Sequence, residues 1–104
     1  MKIYNKLVRD KIPEIIKASG QTPYTRIIED DEEYMTALTD KLSEETQEVK
    51  AEPSLDELAD VLEVVHAIGK KLGFSPKQIE DARVKKAASR GSFNDRIFLE
   101  KVDE

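Results

Sequence analysis

Prolines and glycines punctuate this chain between segments in which apolar residues recur at helical spacing. Proline lacks a backbone N–H and glycine adopts the backbone angles that close a helix, so both mark helix boundaries. Their positions predict about four helices. A chain of 104 residues can build one modest core, and association with further copies would let it bury more apolar surface. We therefore expect an all-α, four-helix domain over residues 1–104.

The first two helices are predicted from their ends and their periodicity. Asp10 is expected to cap a short first helix, which Gly20 ends. A second helix is predicted from near Asp31 to about Glu52, because apolar residues recur at helical spacing and a proline follows. The recurring apolar residues are Met35, Leu38, Leu42 and Val49.

Two further helices carry clear N-terminal signals. Ser54 is predicted to cap the third helix, with Glu57 completing a Ser-x-x-Glu capping box. Apolar residues cover most of the circumference of this helix, so we expect it to be central. Ser75 and Gln78 predict a second capping box at the start of the fourth helix, which should end near Arg90. Residues 21–29 and short segments at the two ends are expected to be extended, with a short C-terminal strand at 96–99 that pairs with residues 3–8.

Four carboxylates break the apolar pattern of the two central helices. At ~100° per residue, Glu45 falls inside the apolar stripe of the second helix and Glu48 lies at its margin. Glu57 lies in line with apolar residues of the third helix, and Asp60 lies ~60° to one side. Burying carboxylates without cations is very costly, so these must be protonated, paired with basic side chains or bound to a metal.

The residue types favour a hard metal ion over zinc. Carboxylate oxygens suit Mg²⁺, with Mn²⁺ as the alternative, and neither Cys nor a suitable His accompanies them. The capping box by itself would also account for Glu57, without any metal. Glu44, ~100° from Glu45, is a flanking ligand, a water-orienting group or a solvent-exposed residue.

Composition and charge exclude several classes of function. A chain without Cys has no disulfide scaffold and no thiolate nucleophile. The net charge of −5 argues against binding of nucleic-acid polymers, which usually requires a basic face. The longest apolar stretch, around Val61–Ile68, is too short to span a bilayer, and no signal peptide is visible at the N-terminus. We expect a soluble cytoplasmic protein without a membrane partner.

Two acidic motifs occur in order on the two central helices. The run Glu44-Glu45-Thr46-Gln47-Glu48 followed by Glu57-Leu58-Ala59-Asp60 resembles the EExxE and ExxD pair of the MazG-like and phosphoribosyl-ATP pyrophosphohydrolase-like superfamily. Segments 4–13 and 90–93 are similar to one small-protein branch of it. The resemblance implies Mg²⁺ held by Glu45, Glu48, Glu57 and Asp60, with Glu44 and Glu45 as catalytic candidates.

That family resemblance also implies a reaction. Water attacks the α-phosphorus of a nucleoside triphosphate and releases pyrophosphate and a nucleoside monophosphate, an activity suited to nucleotide-pool house-cleaning. The phosphates need cations. On the fourth helix, Arg83, Lys86 and Arg90 form a stripe that is expected to meet them, the alternative for Arg83 being salt bridges to nearby carboxylates. Lys6, Arg9 and Lys11 are weaker candidates for the same contacts.

Two other functions remain open. One is the phosphoribosyl-ATP pyrophosphohydrolase of histidine biosynthesis, which uses a similar acidic site. The other is a catalytically silent helical interaction module, which predicts basic side chains against Glu45 and Glu57 where the enzyme predicts a metal. We also expect a homodimer or homotetramer in which second and third helices, antiparallel within each chain, complete a four-helix bundle.

Overall fold

A computed structural model describes residues 1–103, which contain four α-helices and no strand. The all-α four-helix expectation is therefore confirmed. Among the described residues, no helix has both the length and the apolarity needed to cross a membrane. The helices are α1 (Ile12–Ala18), α2 (Asp31–Ala51), α3 (Leu55–Lys71) and α4 (Pro76–Arg90).

Side-chain caps fix the starts of the longer helices. The Asp30 carboxylate accepts a hydrogen bond from the backbone N–H of Glu33 and begins α2. The predicted capping box of α4 is complete, because the Ser75 hydroxyl accepts from the Gln78 backbone while the Gln78 side chain accepts from the Ser75 backbone. Gly91 follows α4 with a φ of 85°, which glycine adopts without strain. These caps explain why the predicted boundaries agree with the structure.

Two predictions for the ends of the chain are wrong. Asp10 does not cap α1, since Lys11 occupies the N-cap position with helical backbone angles and no side chain caps the helix. Asp10 instead lies in a turn closed by the hydrogen bond from the Ile12 N–H to the Arg9 carbonyl. The predicted strand at 96–99 is also wrong, and residues 3–8 contain no strand either.

α2 and α3 form an antiparallel pair. The Lys71 ammonium at the end of α3 lies 2.9 Å from the Asp31 carboxylate at the start of α2, and a short connection joins the opposite ends. Leu38 of α2, 2% exposed, and Val64 of α3 form the buried apolar core of the described residues. The expected antiparallel arrangement thus brings the C-terminal end of α2 beside the first turns of α3.

A single copy leaves much of its surface uncovered. Its accessible surface is 9690 Å², whereas a compact monomer of this size exposes roughly 5,900 Å². The radius of gyration is 17.9 Å, compared with about 13 Å for a compact domain. One copy therefore covers less of its own apolar surface than a compact domain of the same length.

Gly69 lies within α3 and not at its boundary. A Cβ at this position would come 2.5 Å from Cδ1 of Ile79, so the missing side chain lets α4 approach α3 closely. Among the described residues, α3 is the one helix that α4 packs against. Gly69 therefore positions the start of α4.

Alanine in place of glycine within a helix usually stabilises a protein by about 1 kcal/mol. We expect Gly69→Ala to show no such gain. The clash with Ile79 Cδ1 offsets that gain. Ile79→Val removes the clashing methyl, so Gly69→Ala should be more favourable by about 1 kcal/mol in the Ile79→Val background. Urea unfolding of the wild type, both single variants and the double variant measures this coupling. Equal effects of Gly69→Ala in both backgrounds would contradict the contact.

Candidate metal centre

Three carboxylates meet where the end of α2 faces the start of α3. Glu45, Glu57 and Asp60 each offer one oxygen, and these oxygens lie within 4.8 Å of one another. Two ligands on opposite sides of an octahedral Mg²⁺ lie about 4.2 Å apart. The cluster is therefore close to the size that a shared ion requires, and the i, i+3 spacing on α3 places two of its members on one side of that helix.

Glu57 is the member of the cluster without a partner. Its Oε2 atom is buried and accepts no hydrogen bond. Burial raises the pKa of Glu57 above its ordinary value, and the neighbouring carboxylates, Asp60 foremost, raise it further. Only half of the expected capping box forms, because Ser54 accepts from the Glu57 backbone while no reciprocal bond involves the Glu57 side chain. The cap therefore does not account for the position of this carboxylate.

The other two carboxylates are partly neutralised. Glu45 is 8% exposed, and its carboxylate lies 3.4 Å from the Lys41 ammonium one turn earlier on α2. The Arg9 guanidinium donates a 2.7 Å hydrogen bond to Asp60. A silent interaction module predicts basic partners for Glu45 and Glu57. Lys41 meets that expectation at Glu45, but among the described residues no hydrogen-bond partner meets it at the buried oxygen of Glu57.

Glu44 and Glu48 flank the cluster. The Lys6 ammonium donates a 2.7 Å hydrogen bond to Glu44, and Lys41 lies 3.4 Å away. Partial burial would raise the pKa of Glu44, but the bond from Lys6 and the two positive charges outweigh burial and hold that pKa below its ordinary value. Glu48 is exposed and outside the cluster, although its charge contributes to the raised pKa of Glu57.

A cavity of about 240 Å³ opens beside the carboxylates. The N-terminal segment forms one wall and α2 and α3 the other, so positive and negative side chains face the same space. Such a mixed lining suits a polyvalent anion bound together with a metal ion. The lining residues are Lys6, Val8, Arg9, Ile12, Lys41, Glu45 and Asp60.

Cations of α4 do not line this cavity. Arg83 pairs with Glu80 on its own helix, which agrees with the alternative expected for it, and Lys86 and Arg90 are exposed. α4 approaches α3 near Gly69, about 13 Å along the helix from Asp60. Within one chain the cations nearest the carboxylates come instead from residues 6–9 and from α2.

Sequence periodicity did not predict which cations lie beside the carboxylates. Lys41 was not predicted, although its position four residues before Glu45 places both side chains on one side of α2. Lys6 and Arg9 lie in a segment without regular secondary structure, so no helical or strand periodicity could place them. The available signal was their position inside the N-terminal segment that shares the family resemblance.

Comparisons with known proteins leave the function open. No protein-family model matches the chain, and no solved structure matches it significantly. An uncharacterised protein of Mycolicibacterium smegmatis is 53% identical over 51 residues, which is 49% of this chain. The chain spans about half the length of that relative, 51%. Function must therefore be inferred from the chemistry of the carboxylate cluster.

Glu57→Gln should leave the free energy of unfolding at about pH 7 equal to or greater than that of the wild type. The pKa of Glu57 is raised in the folded protein. The folded state therefore holds a proton that the unfolded chain has released, and stability falls as the pH rises through the window between the two pKa values. Glutamine has no such titration, so its advantage should grow between about pH 4 and about pH 7.

Urea unfolding at both pH values measures this difference. Glu63→Gln makes the same chemical change at an exposed position of α3 and serves as the control. A variant at Glu57 that is much less stable than the wild type at neutral pH would mean that this carboxylate has a buried basic partner.

Proposed function

We propose that this protein is a metal-dependent nucleoside triphosphate pyrophosphohydrolase. The reaction cleaves between the α and β phosphates and gives a nucleoside monophosphate and pyrophosphate, a role suited to removing unwanted nucleotides from the pool. The observation that carries the proposal is the buried, unpartnered oxygen of Glu57 in a cluster of three carboxylates. Basic side chains that line the cavity beside the cluster would supply the positive charge that a triphosphate needs.

The donor set fits Mg²⁺, with Mn²⁺ as the alternative. Glu45, Glu57 and Asp60 would hold the ion, and Glu48, whose charge contributes to the raised pKa of Glu57, would be the fourth carboxylate ligand. Carboxylate oxygens are the protein ligands that these ions prefer, and no thiolate competes, since the chain has no Cys. When bound, the ion neutralises phosphate charge, orients the substrate and lowers the pKa of bound water.

Basic side chains around the cavity are suited to hold the phosphates. Lys6, Arg9 and Lys41 line the cavity. Lys6 is paired with Glu44, Arg9 with Asp60, and Lys41 with both Glu44 and Glu45. A triphosphate offers these cations more negative charge than one carboxylate does, and an arginine can bind phosphate oxygens in bidentate fashion. We infer that they exchange their carboxylate partners for phosphate oxygens when substrate binds.

Glu44 is suited to orient the attacking water. The hydrogen bond and the charge of Lys6 lower the pKa of Glu44 and keep the carboxylate ionised, so it can accept a hydrogen bond from water and orient it. It precedes Glu45 in α2, and the ammonium of Lys6, which lines the cavity, donates a hydrogen bond to one of its oxygens. No nucleophilic side chain is required for this reaction.

Two alternatives share parts of this account. A phosphoribosyl-ATP pyrophosphohydrolase would use the same carboxylates and the same bond cleavage, so it differs only in substrate. A silent interaction module is favoured by the pairs between Lys41 and Glu45 and between Arg9 and Asp60, which neutralise two members of the cluster. A silent module does not explain why the Glu57 oxygen is buried without a hydrogen-bond partner.

We further propose that the protein acts as a homodimer or homotetramer. The α2–α3 pair leaves leucines exposed on the far side of α3, and a second pair packed there would complete a four-helix bundle. The protein surface exceeds that of a compact monomer, which agrees with this assembly.

We expect Mg²⁺- or Mn²⁺-dependent pyrophosphate release from at least one ordinary or damaged nucleoside triphosphate or from phosphoribosyl-ATP. Glu57→Gln removes one negative ligand at nearly constant size, and kcat/KM should fall by about 100-fold or more. Glu63→Gln, the exposed change on the same helix, should retain activity. Pyrophosphate release assayed across the substrate panel, with and without metal, measures this. Hydrolysis by the Glu57→Gln variant at the wild-type rate would contradict the proposed centre.

Arg9→Gln should raise KM by about tenfold, the loss expected for one charge-assisted hydrogen bond to phosphate. Folding should change little, because the pair between Arg9 and Asp60 is about half exposed and such pairs contribute at most about 1 kcal/mol. Arg83→Gln is the matched change on α4, where the guanidinium pairs with Glu80. Steady-state kinetics of both variants compare the two sources of cations. A larger KM for Arg83→Gln than for Arg9→Gln would assign the phosphate contacts to α4.

A further inference from the structure

Large apolar side chains in the C-terminal segment, residues 91–103, have nothing to cover them. Phe93 is 96% exposed and Phe98 is 86% exposed, on either side of a turn in which the Arg96 N–H bonds to the Phe93 carbonyl. Burial of one such side chain contributes about 2 kcal/mol, so a segment that leaves several in water forgoes a large stabilisation. The exposed apolar residues are Phe93, Ile97, Phe98, Leu99 and Val102.

α3 presents a second uncovered apolar surface. Leu55 is 82% exposed, and Leu58 and Leu62 are more than half exposed. These leucines lie on the opposite side of α3 from Val64, which packs against α2. α4 contacts α3 at Gly69, beyond the end of this leucine stripe. The stripe, defined by Leu55, Leu58 and Leu62, is therefore free in one copy.

Within one chain the C-terminal segment does not reach the leucine stripe. α4 packs on α3 near its own start, and of its residues only Ile79 and Ala87 are part-buried. The protein is 58 Å long, whereas α2, its longest helix, spans about 31 Å. The leucines of the stripe and the large apolar side chains of the C-terminal segment are all more than half exposed, so neither surface covers the other in one copy.

One copy exposes more surface than a compact monomer of its length. The accessible surface of 9690 Å² exceeds that of a compact monomer by about 3,800 Å². A standard protein interface covers about 800 Å² on each partner. Packing of helix pairs alone would leave about 3,000 Å² of the excess exposed in each copy, and the apolar side chains of the C-terminal segment belong to that exposed surface.

We propose that residues 91–103 form an arm that clasps a second copy of this chain. Phe93, Ile97, Phe98 and Leu99 lie on the α2–α3 pair of that copy, beside its leucine stripe. The exchange is reciprocal, as two-fold symmetry requires, so each dimer contains two such contacts. The arm contains no residue of the carboxylate cluster, and the proposal stands independently of the enzymatic activity.

Ile97→Asp/Phe98→Asp tests the arm in the full-length protein. Both side chains are exposed in one copy, so the monomer should remain folded by circular dichroism. Sedimentation equilibrium should show a dimer dissociation constant raised by about 100-fold or more, because two arms per dimer lose their apolar contacts. The control is Ser92→Asp/Asn94→Asp, which adds the same charge to the same arm and removes no apolar side chain; its dissociation constant should remain near that of the wild type. A monomeric wild type at micromolar concentration, unchanged association of the first variant, or equal dissociation of both variants would each overturn the proposal.

The landing place of the arm is tested separately. Because the chain has no Cys, Lys101→Cys gives a single site for a nitroxide spin label. Spin-labelled chains mixed with ¹⁵N-labelled wild-type chains should broaden the amide signals of Leu55, Leu58 and Leu62 in the ¹⁵N-labelled copy. Broadening confined to other parts of that copy, or its absence, would overturn the proposed contact.

Discussion

The contact between α2 and α3 combines two opposing interactions within a few turns of helix. Leu38 and Val64 supply the apolar packing that joins the helices, while Glu45, Glu57 and Asp60 place like charges at one end of the same contact. The apolar contact is small, so repulsion among the carboxylates offsets a substantial part of the stabilisation that the contact provides. Arg9 and Lys41 relieve part of the repulsion, and an ion bound by the three carboxylates would turn the rest into attraction.

The first two turns of α3 place the proposed metal centre and the proposed assembly surface back to back. Glu57 and Asp60 face α2, whereas Leu55 and Leu58 lie about 100–160° away from them around the helix. A second copy that covers the leucines therefore need not block the cavity. Burying them would also hold the first turn of α3 in place, and this turn positions two of the three carboxylates. Assembly and metal binding are expected to support each other for this reason.

Local sequence signals predicted the helices well because their ends are determined locally. Asp30, Ser75 and Gln78 make the hydrogen bonds expected of caps, and Gly91 adopts a φ that few other residues tolerate. Asp10 failed as a cap because the chain enters α1 through a turn, which a capping residue alone does not reveal. The C-terminal residues have strand-forming side chains, but a strand also requires a partner, and none is present within the described chain.

The candidate site was predictable where it depends on helical geometry. The angular positions of Glu45, Glu57 and Asp60 follow from ~100° per residue, and the structure brings these three together. The cations were harder to place. Lys6 and Arg9 reach the cluster through a segment without regular structure, so their location depends on tertiary packing that no periodicity encodes.

Crystals of the protein grown with Mn²⁺ and measured at the manganese absorption edge would test the central claim most directly. The account predicts an anomalous peak about 2.1 Å from oxygens of Glu45, Glu57 and Asp60, with the Arg9 guanidinium moved away from Asp60. A well-ordered cluster without such a peak at saturating Mn²⁺, with Arg9 still bound to Asp60, would contradict a metal centre at this position.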